Sequence, residues 1–307
     1  PSATHTVKLI TASDYVYFLP SAVRLTISDD YSNSILPLKD VLDSEVEVIK
    51  EKAVSFSQSS IVLESNSTLE FDVLILATGS KWPDPIGSTY AFGNDYKSYF
   101  EKEATKVKKA EHILFIGGGF VNSEIAGEFL FKYGDDIRAG RKRISIVHSS
   151  DKLLPGNGPY SDKLRSKVTE YLLSHGIKLY LNTKGVVSDS NPNRAILKDS
   201  TVEYIDADLI YTGTGITPNV PLNDISNLCD SSGFVRVEKN FQVKAAESGN
   251  IFAIGDVTDF KYHGVIKRDN WVNTITANVI SYLKEGKNAR LTDANTYESG
   301  HIPSVVS

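Results

Sequence analysis

Gly117-Gly118-Gly119-Phe120-Val121-Asn122-Ser123-Glu124 decides how the rest of this chain is read. It follows an apolar run, His112-Ile113-Leu114-Phe115-Ile116, and leads into Ser123 to Tyr133 (SEIAGEFLFKY), whose apolar residues recur at helical spacing. Arg143 to Val147 is a second apolar strand, so the stretch reads as strand, turn, helix, strand, the element of a parallel sheet. Glycine at 117 permits a tight turn and glycine at 119 a close backbone approach. The helix start adds free N–H groups and the positive end of a dipole. That combination suits the pyrophosphate of a dinucleotide, and Gly117, Gly118, Gly119, Phe120 and Val121 are the residues expected to line it. An ordinary strand-to-helix turn is the competing reading. Asn122 stands where the fingerprint usually has its third glycine, so helix and strand are expected to pack less closely here.

The acid that holds the ribose hydroxyls normally lies about 20 residues after the first glycine. Here the second strand ends at His148, 31 positions after Gly117, and no carboxylate occupies that spot. The charged, glycine-containing segment from Gly134 to Arg143 is expected to account for the extra length. His148 and the nearby Arg and Lys are compatible with a 2′-phosphate, which leaves NADH and NADPH both open.

Outward from this unit, 307 residues with 41% hydrophobic and 23% charged positions give room for about two domains. The net charge of −5 argues against a nucleic-acid partner, and a single cysteine, Cys229, fits a reducing compartment. No apolar run approaches the roughly 18 to 20 residues of a membrane span. The sequence has no Met and opens on Pro1, so a preceding segment is expected, and no signal-peptide pattern is visible. None of the six His has metal-ligand spacing to a second His or Cys, and no metal is expected. No Gly-x-Ser-x-Gly elbow is present.

Before the glycine turn, Val7 to Ile10 and Tyr15 to Leu19 read as apolar strands, and Val46 to Phe71 as a meander entering a buried strand at Leu74. Lys97 to Ala110 has the composition of a surface helix. After the turn come a helix from Ser161 to Ser174, capped by Gly176, a strand Ile177 to Leu181, and a hairpin and strand to Thr212. Asn250 to Gly255 is a further strand. Arg268 to Lys284 is a helix with Trp271, Ile275, Val279, Ile280 and Leu283 on one face, stopped by Gly286. We therefore expect residues 1–108 and 223–307 to form one domain in two parts, with 109–222 inserted between them.

Four motifs in order carry a resemblance: Ala77-Thr78-Gly79, the glycine turn, Asp208-Leu209-Ile210 with Gly215-Ile216-Thr217-Pro218-Asn219, and Gly249-Asn250-Ile251-Phe252-Ala253-Ile254-Gly255-Asp256. They resemble the flavoprotein pyridine-nucleotide oxidoreductases. Within these, GGGFVNSEIAGE, YVYFLPSAVRL, FDVLILATGSKW and NIFAIGDVTDF most resemble the apoptosis-inducing-factor-like group, which includes the ferroptosis-suppressor quinone reductases, from about Val7 to Lys284. Type II NADH dehydrogenases share the SEIAGE-like helix. The disulfide-reductase branch is set aside, because its CxxxxC pair is absent.

The resemblance implies an α/β fold of two Rossmann-like domains, an NAD(P)H domain inserted in a discontinuous FAD domain. It implies FAD and NAD(P)H as cofactors, a quinone or oxygen as electron acceptor, and an intracellular protein, cytoplasmic or mitochondrial, with peripheral membrane contact as an option. Thr78 and Gly79 would close the flavin domain. Gly255 and Asp256 would bring a carboxylate to the ribityl hydroxyls, and the helix opening at Arg268 to Trp271 would face the flavin pyrimidine. Lys81 and Trp82 would border the flavin, Gly215 would sit at the exit of the NAD(P)H domain, and His148 beside the adenosine ribose. Glu124 would lie near the flavin–nicotinamide junction with Arg24 as its basic partner. The competing readings are a solvated helix-start Glu, a solvated Arg and a Trp in packing. The family also opens with a strand, a GxGxxG turn and a helix, whereas this sequence opens at what reads as the second strand, VKLI, with Thr11 or Ala12 in place of the ribose acid. An N-terminally incomplete FAD domain, a fragment of a longer reading frame ending early at Ser307, is therefore expected, and with it weak FAD binding. A role in programmed cell death follows by resemblance. The alternatives are a non-enzymatic cell-death effector and a flavin-free NAD(P)H-binding protein.

Overall fold

The computed structural model describes residues 5–28, 30–87, 95–156, 160–213, 215–260 and 268–294. Contacts divide them into two compact units, one built from the stretch up to Asp14 with Leu38–Lys81 and the chain from Ile216, the other from Tyr15–Pro37 with Trp82–Gly215.

The second unit is organised by a four-stranded parallel sheet in the order Lys178–Tyr180, Arg143–Val147, His112–Ile116, Leu209–Thr212. His112–Ile116 is buried along its whole length, as expected of a central parallel strand covered on both faces. Side chains alternate across it. Ile113 and Phe115 join Ile125, Ala126 and Phe129 of the helix Phe120–Arg138 in one core, while Leu114 and Ile116 join Ala195, Leu197 and Ile205 of an antiparallel three-stranded layer in another. The helix runs to Arg138, with non-helical dihedrals at Tyr133 (φ −119°, ψ 16°). The extra length from Gly134 to Arg143 is thus mostly a continuation of the helix past Tyr133. Packing of Ile137 into the core overrides the roughly 1 kcal/mol that a mid-helix glycine costs.

The units change at Lys81/Trp82 and Gly215/Ile216, whereas the boundaries read from the sequence lie at 108/109 and 222/223. Tertiary bonds explain the placement of the helix Tyr96–Lys109. Its Glu103, 2% exposed, accepts from the buried Tyr211 hydroxyl at 3.1 Å, and buried Lys142 caps its C-terminal carbonyls at Val107 (2.8 Å) and Ala110. Ala22 and Val23 of the short helix Ala22–Leu25 enter the same core as Phe129.

The first unit pairs Ile251–Ala253 in parallel with Leu74–Leu76, and Lys8–Ile10 in parallel with Glu47–Ile49. An antiparallel meander, Ala53–Phe56, Ser60–Leu63 and Thr68–Glu70, carries Leu222–Asn223 on its free edge. Leu74–Leu76 is less enclosed than its sequence suggests, with Ile75 at 45% exposure. In the helix Arg268–Glu285 the buried face is also narrower than expected. Trp271, Ile275, Asn278 and Val279 pack inward, but Ile280 and Leu283 are exposed, since 100° per residue carries them around the helix. Gly286 follows the last helical residue with φ +60°, in place as the stop.

Candidate functional site

The glycine turn lies at the C-terminal edge of the parallel sheet of the second unit, where α/β sheets place their ligands. Gly117 donates to Val147 O at 2.8 Å and has φ +99°, and a Cβ there would stand 3.0 Å from Gly213 O. A Cβ on Gly118 would stand 2.4 Å from Leu153 Cδ2 and 2.9 Å from His148 Cγ. Gly119 is the N-cap of the 19-residue helix, has no capping side chain, and has no atom within 4 Å of its Cβ position. The turn thus keeps an open cradle in front of uncapped N–H groups, which fits a dinucleotide pyrophosphate.

Asn122 changes how the turn is held. It is 5% exposed, and its Nδ2 donates to Gly117 O at 2.8 Å and Ile116 O at 3.4 Å. The close approach expected of a third glycine has moved to Gly213, where a Cβ would stand 2.5 Å from Asn122 Nδ2. Instead of loosening helix against strand, the amide bonds them. Thr214 of the following turn lies outside the described residues, and Gly215 (φ +93°) opens onto free space.

His148 Nδ1 accepts from Gly118 N–H at 3.0 Å, so the imidazole proton sits on Nε2, which is buried without a protein partner. Burial pushes the His148 pKa down, Arg165 adds to this and Asp151 opposes it, which favours the neutral ring that an accepting Nδ1 requires. Phe120 stacks on Tyr160 with ring centroids 6.0 Å apart and planes 7° from parallel. Glu124 shares that helix face by its i,i+4 spacing and helps burial raise the Tyr160 pKa. Val121 packs against the core instead of facing the turn, as does Trp82, whose Nε1 is buried without a partner.

Arg24 is on Glu128 and not on Glu124. Its Nη2 reaches Glu128 Oε1 at 2.8 Å and its Nε lies 3.2 Å from both carboxylate oxygens. The hydrogen bond to Glu128 holds the Arg24 pKa above its ordinary value. Glu124 and Glu128 are one turn apart in SEIAGE, and the burial of the second decides between them: the Glu128 side chain is 6% exposed. No local signal in the sequence distinguishes the two.

In the first unit, two adjacent parallel strands end together at Ala77-Thr78-Gly79 and Gly255-Asp256. Gly79 (φ +66°) and Gly255 (φ +84°) each have no atom within 4 Å of a Cβ position. Asp256 Oδ2 accepts from Ser80 Oγ at 3.0 Å. Asn219 ties the Thr-Pro-Asn turn to the first strand end, donating from Nδ2 to Thr78 O (3.2 Å) and from its backbone to Gly79 O (2.9 Å). An oriented carboxylate beside two open glycines at strand C-termini fits a polyhydroxyl ligand such as a flavin ribityl chain. Lys81 is exposed on the strand Ser80–Lys81. Trp271 is 4% exposed among Phe241 and Phe260, a core position, with its Nε1 buried and unpartnered. Ser80 and Asn219, the supports of this site, were not singled out from the sequence. Their only signal is their place in or beside the Ala-Thr-Gly and Thr-Pro-Asn turns.

The profile of the pyridine nucleotide-disulphide oxidoreductases matches residues 4–279. Apoptosis-inducing factor 1 of Saccharomyces cerevisiae is 63% identical over 304 residues, 99% of this chain and 80% of that protein. Apoptosis-inducing factor homolog A of Dictyostelium discoideum is 27% identical, over 87% of this chain and 69% of that one. Among solved structures, the sulfide:quinone oxidoreductase of Aquifex aeolicus superposes with a TM-score of 0.74 at 16% identity, covering 92% of this chain and 72% of that one. This last likeness is one of fold.

Proposed function

Because the chain belongs to the pyridine nucleotide-disulphide oxidoreductase family, whose cofactors are FAD and NAD(P)H, we propose that it is an FAD-dependent NAD(P)H oxidoreductase delivering electrons to a quinone or to oxygen. The observation that carries the reading is the presence, one in each unit, of a dinucleotide-type glycine turn and of a strand-end carboxylate beside open glycines. Bound FAD supplies the two-electron chemistry that couples NAD(P)H to the acceptor.

The chain's own part is binding and orientation. The uncapped N–H groups at the helix start from Gly119 on would take the pyrophosphate of NAD(P)H, Gly117 and Asn122 fix the turn that aims them, and Phe120 on Tyr160 forms one wall. Asp256, oriented by Ser80, accepts from the ribityl hydroxyls, with Thr78 and Gly79 beside it. Glu124, on the face shared with Phe120, would lie toward the nicotinamide. Arg24 serves the site only through Glu128 and the helix that both flank. A quinone acceptor is in keeping with the fold shared with a protein named sulfide:quinone oxidoreductase, and a role in programmed cell death with the 63% identity to a protein named apoptosis-inducing factor 1. Among the described residues no helix is long and apolar enough to cross a membrane.

Asp256→Ala tests the flavin half. Loss of a charge-assisted hydrogen bond worth about 1.5–3 kcal/mol weakens FAD roughly ten- to a hundredfold in a fluorescence-quenching titration, while ADP-ribose binding stays at the wild-type value. Unchanged FAD affinity would place the flavin elsewhere. Reoxidation of the NADH-reduced protein by a short-chain quinone, faster than by oxygen, identifies the acceptor.

A further inference from the structure

The end of the strand Arg143–Val147 is where a dinucleotide site usually presents the carboxylate that grips the ribose diol, and here it presents His148. A carboxylate at that point has acceptor capacity for both the turn backbone and the ribose hydroxyls. His148 has capacity for one of the two. Its Nδ1 accepts from Gly118 N–H at 3.0 Å, and its Nε2–H is a donor enclosed by the protein. The residue is held in place: its backbone donates to Tyr180 O at 2.8 Å and accepts from Thr183 N–H at 2.9 Å, and its ring lies against Gly118.

The charged groups that follow are matched among themselves. Asp151 accepts from Arg165 Nη2 at 3.3 Å, and Lys152 Nζ reaches Asp162 at 2.6 Å. Arg165, 7% exposed, also donates to Asp162 at 3.1 Å and Leu154 O at 3.1 Å. Asp151 and Lys152, the charged groups of residues 148–152, are thus each already paired, and neither is reserved for the ribose diol or for a 2′-phosphate.

We propose that His148 sets the nucleotide selectivity of this chain by holding the glycine turn without gripping the ribose, so that riboses with and without a 2′-phosphate bind about equally. The proposal rests on the pyridine-nucleotide reading of the turn. Two effects that normally separate NADH from NADPH vanish together. The carboxylate bond to the 2′-hydroxyl is missing, and so is the repulsion between a carboxylate and a phosphate carrying close to two negative charges.

The test is calorimetric binding of ADP-ribose and 2′-phospho-ADP-ribose to the purified protein, without electron transfer. For the wild type the two dissociation constants are expected within about fivefold of each other, and His148→Glu shifts their ratio at least about twentyfold toward ADP-ribose, the scale of one charge-assisted hydrogen bond. His148→Asn, whose Oδ1 stands where Nδ1 stood and accepts from Gly118 N–H without charge, leaves the ratio within about twofold of wild type, because the turn contact is kept and no charge is added. A wild-type ratio above about thirtyfold in either direction overturns the proposal whether or not the variants fold, as does a His148→Glu protein with an unchanged ratio. Binding of neither ligand overturns the pyridine-nucleotide reading itself and the proposal with it, an outcome distinct from strong but discriminating binding.

Discussion

Gly117→Val is expected to weaken ADP-ribose binding by at least about a hundredfold, close to 2.7 kcal/mol. Gly117 has φ +99°, a region that β-branched residues essentially avoid, and its Cβ position lies 3.0 Å from the backbone oxygen of Gly213, which no side-chain rotation can move. Strain of about 1–3 kcal/mol falls on the turn whose N–H groups face the ligand, so the turn shifts and the melting temperature falls as well. Gly119→Ala provides the contrast. Its φ of −71° suits any residue and its Cβ meets nothing within 4 Å, so the melting temperature holds. Binding still falls, because the methyl group enters the space that the pyrophosphate requires. Equal binding by both variants and the wild type would mean that the cradle is not the nucleotide site.

Arg24→Ala is expected to cost about 2 kcal/mol of stability, near 4–8 °C in melting temperature. Breaking a fully buried pair costs about 3–5 kcal/mol, and the lower figure follows because the Arg24 side chain is 63% exposed, which lets water reach the abandoned carboxylate. The double variant Arg24→Ala/Glu128→Leu recovers most of the loss, since the buried charge goes with its partner. Calorimetric melting separates these outcomes. ADP-ribose binding stays within about twofold in both, because the pair acts on the middle of the helix and not on the turn. An Arg24→Ala protein with wild-type stability and impaired reduction by NADH would return Arg24 to the catalytic machinery.

Much of the second unit was legible because local pattern and tertiary role agree there. The apolar run His112–Ile116 is buried on both faces, and the glycines mark positions where a Cβ meets backbone, a neighbouring side chain or an open cradle. Asp256 was readable for the same reason, as a carboxylate directly after a strand and a positive-φ glycine. The failures share one cause, a choice made by distant residues. Arg24 selects Glu128 over Glu124 by burial, although the two acids are equivalent in helical spacing. Trp271 looks like a residue at a helix start facing a ligand until Phe241 and Phe260 enclose it. The helix passes Gly134 because Ile137 has a core to enter. Asn122 reads as a missing glycine, and only the backbone of Gly117 and the absent side chain of Gly213 turn it into a clamp.

The central claim, that one chain binds flavin and is reduced by NAD(P)H, is tested most directly by the visible spectrum of the purified protein with FAD, recorded anaerobically before and after one equivalent of NADH. The account predicts flavin bands that the protein perturbs at saturating FAD, in keeping with weak binding, and that bleach on addition of NADH faster than those of free FAD. Saturating FAD whose spectrum the protein leaves unchanged, or bound flavin that NADH leaves oxidised, would contradict it.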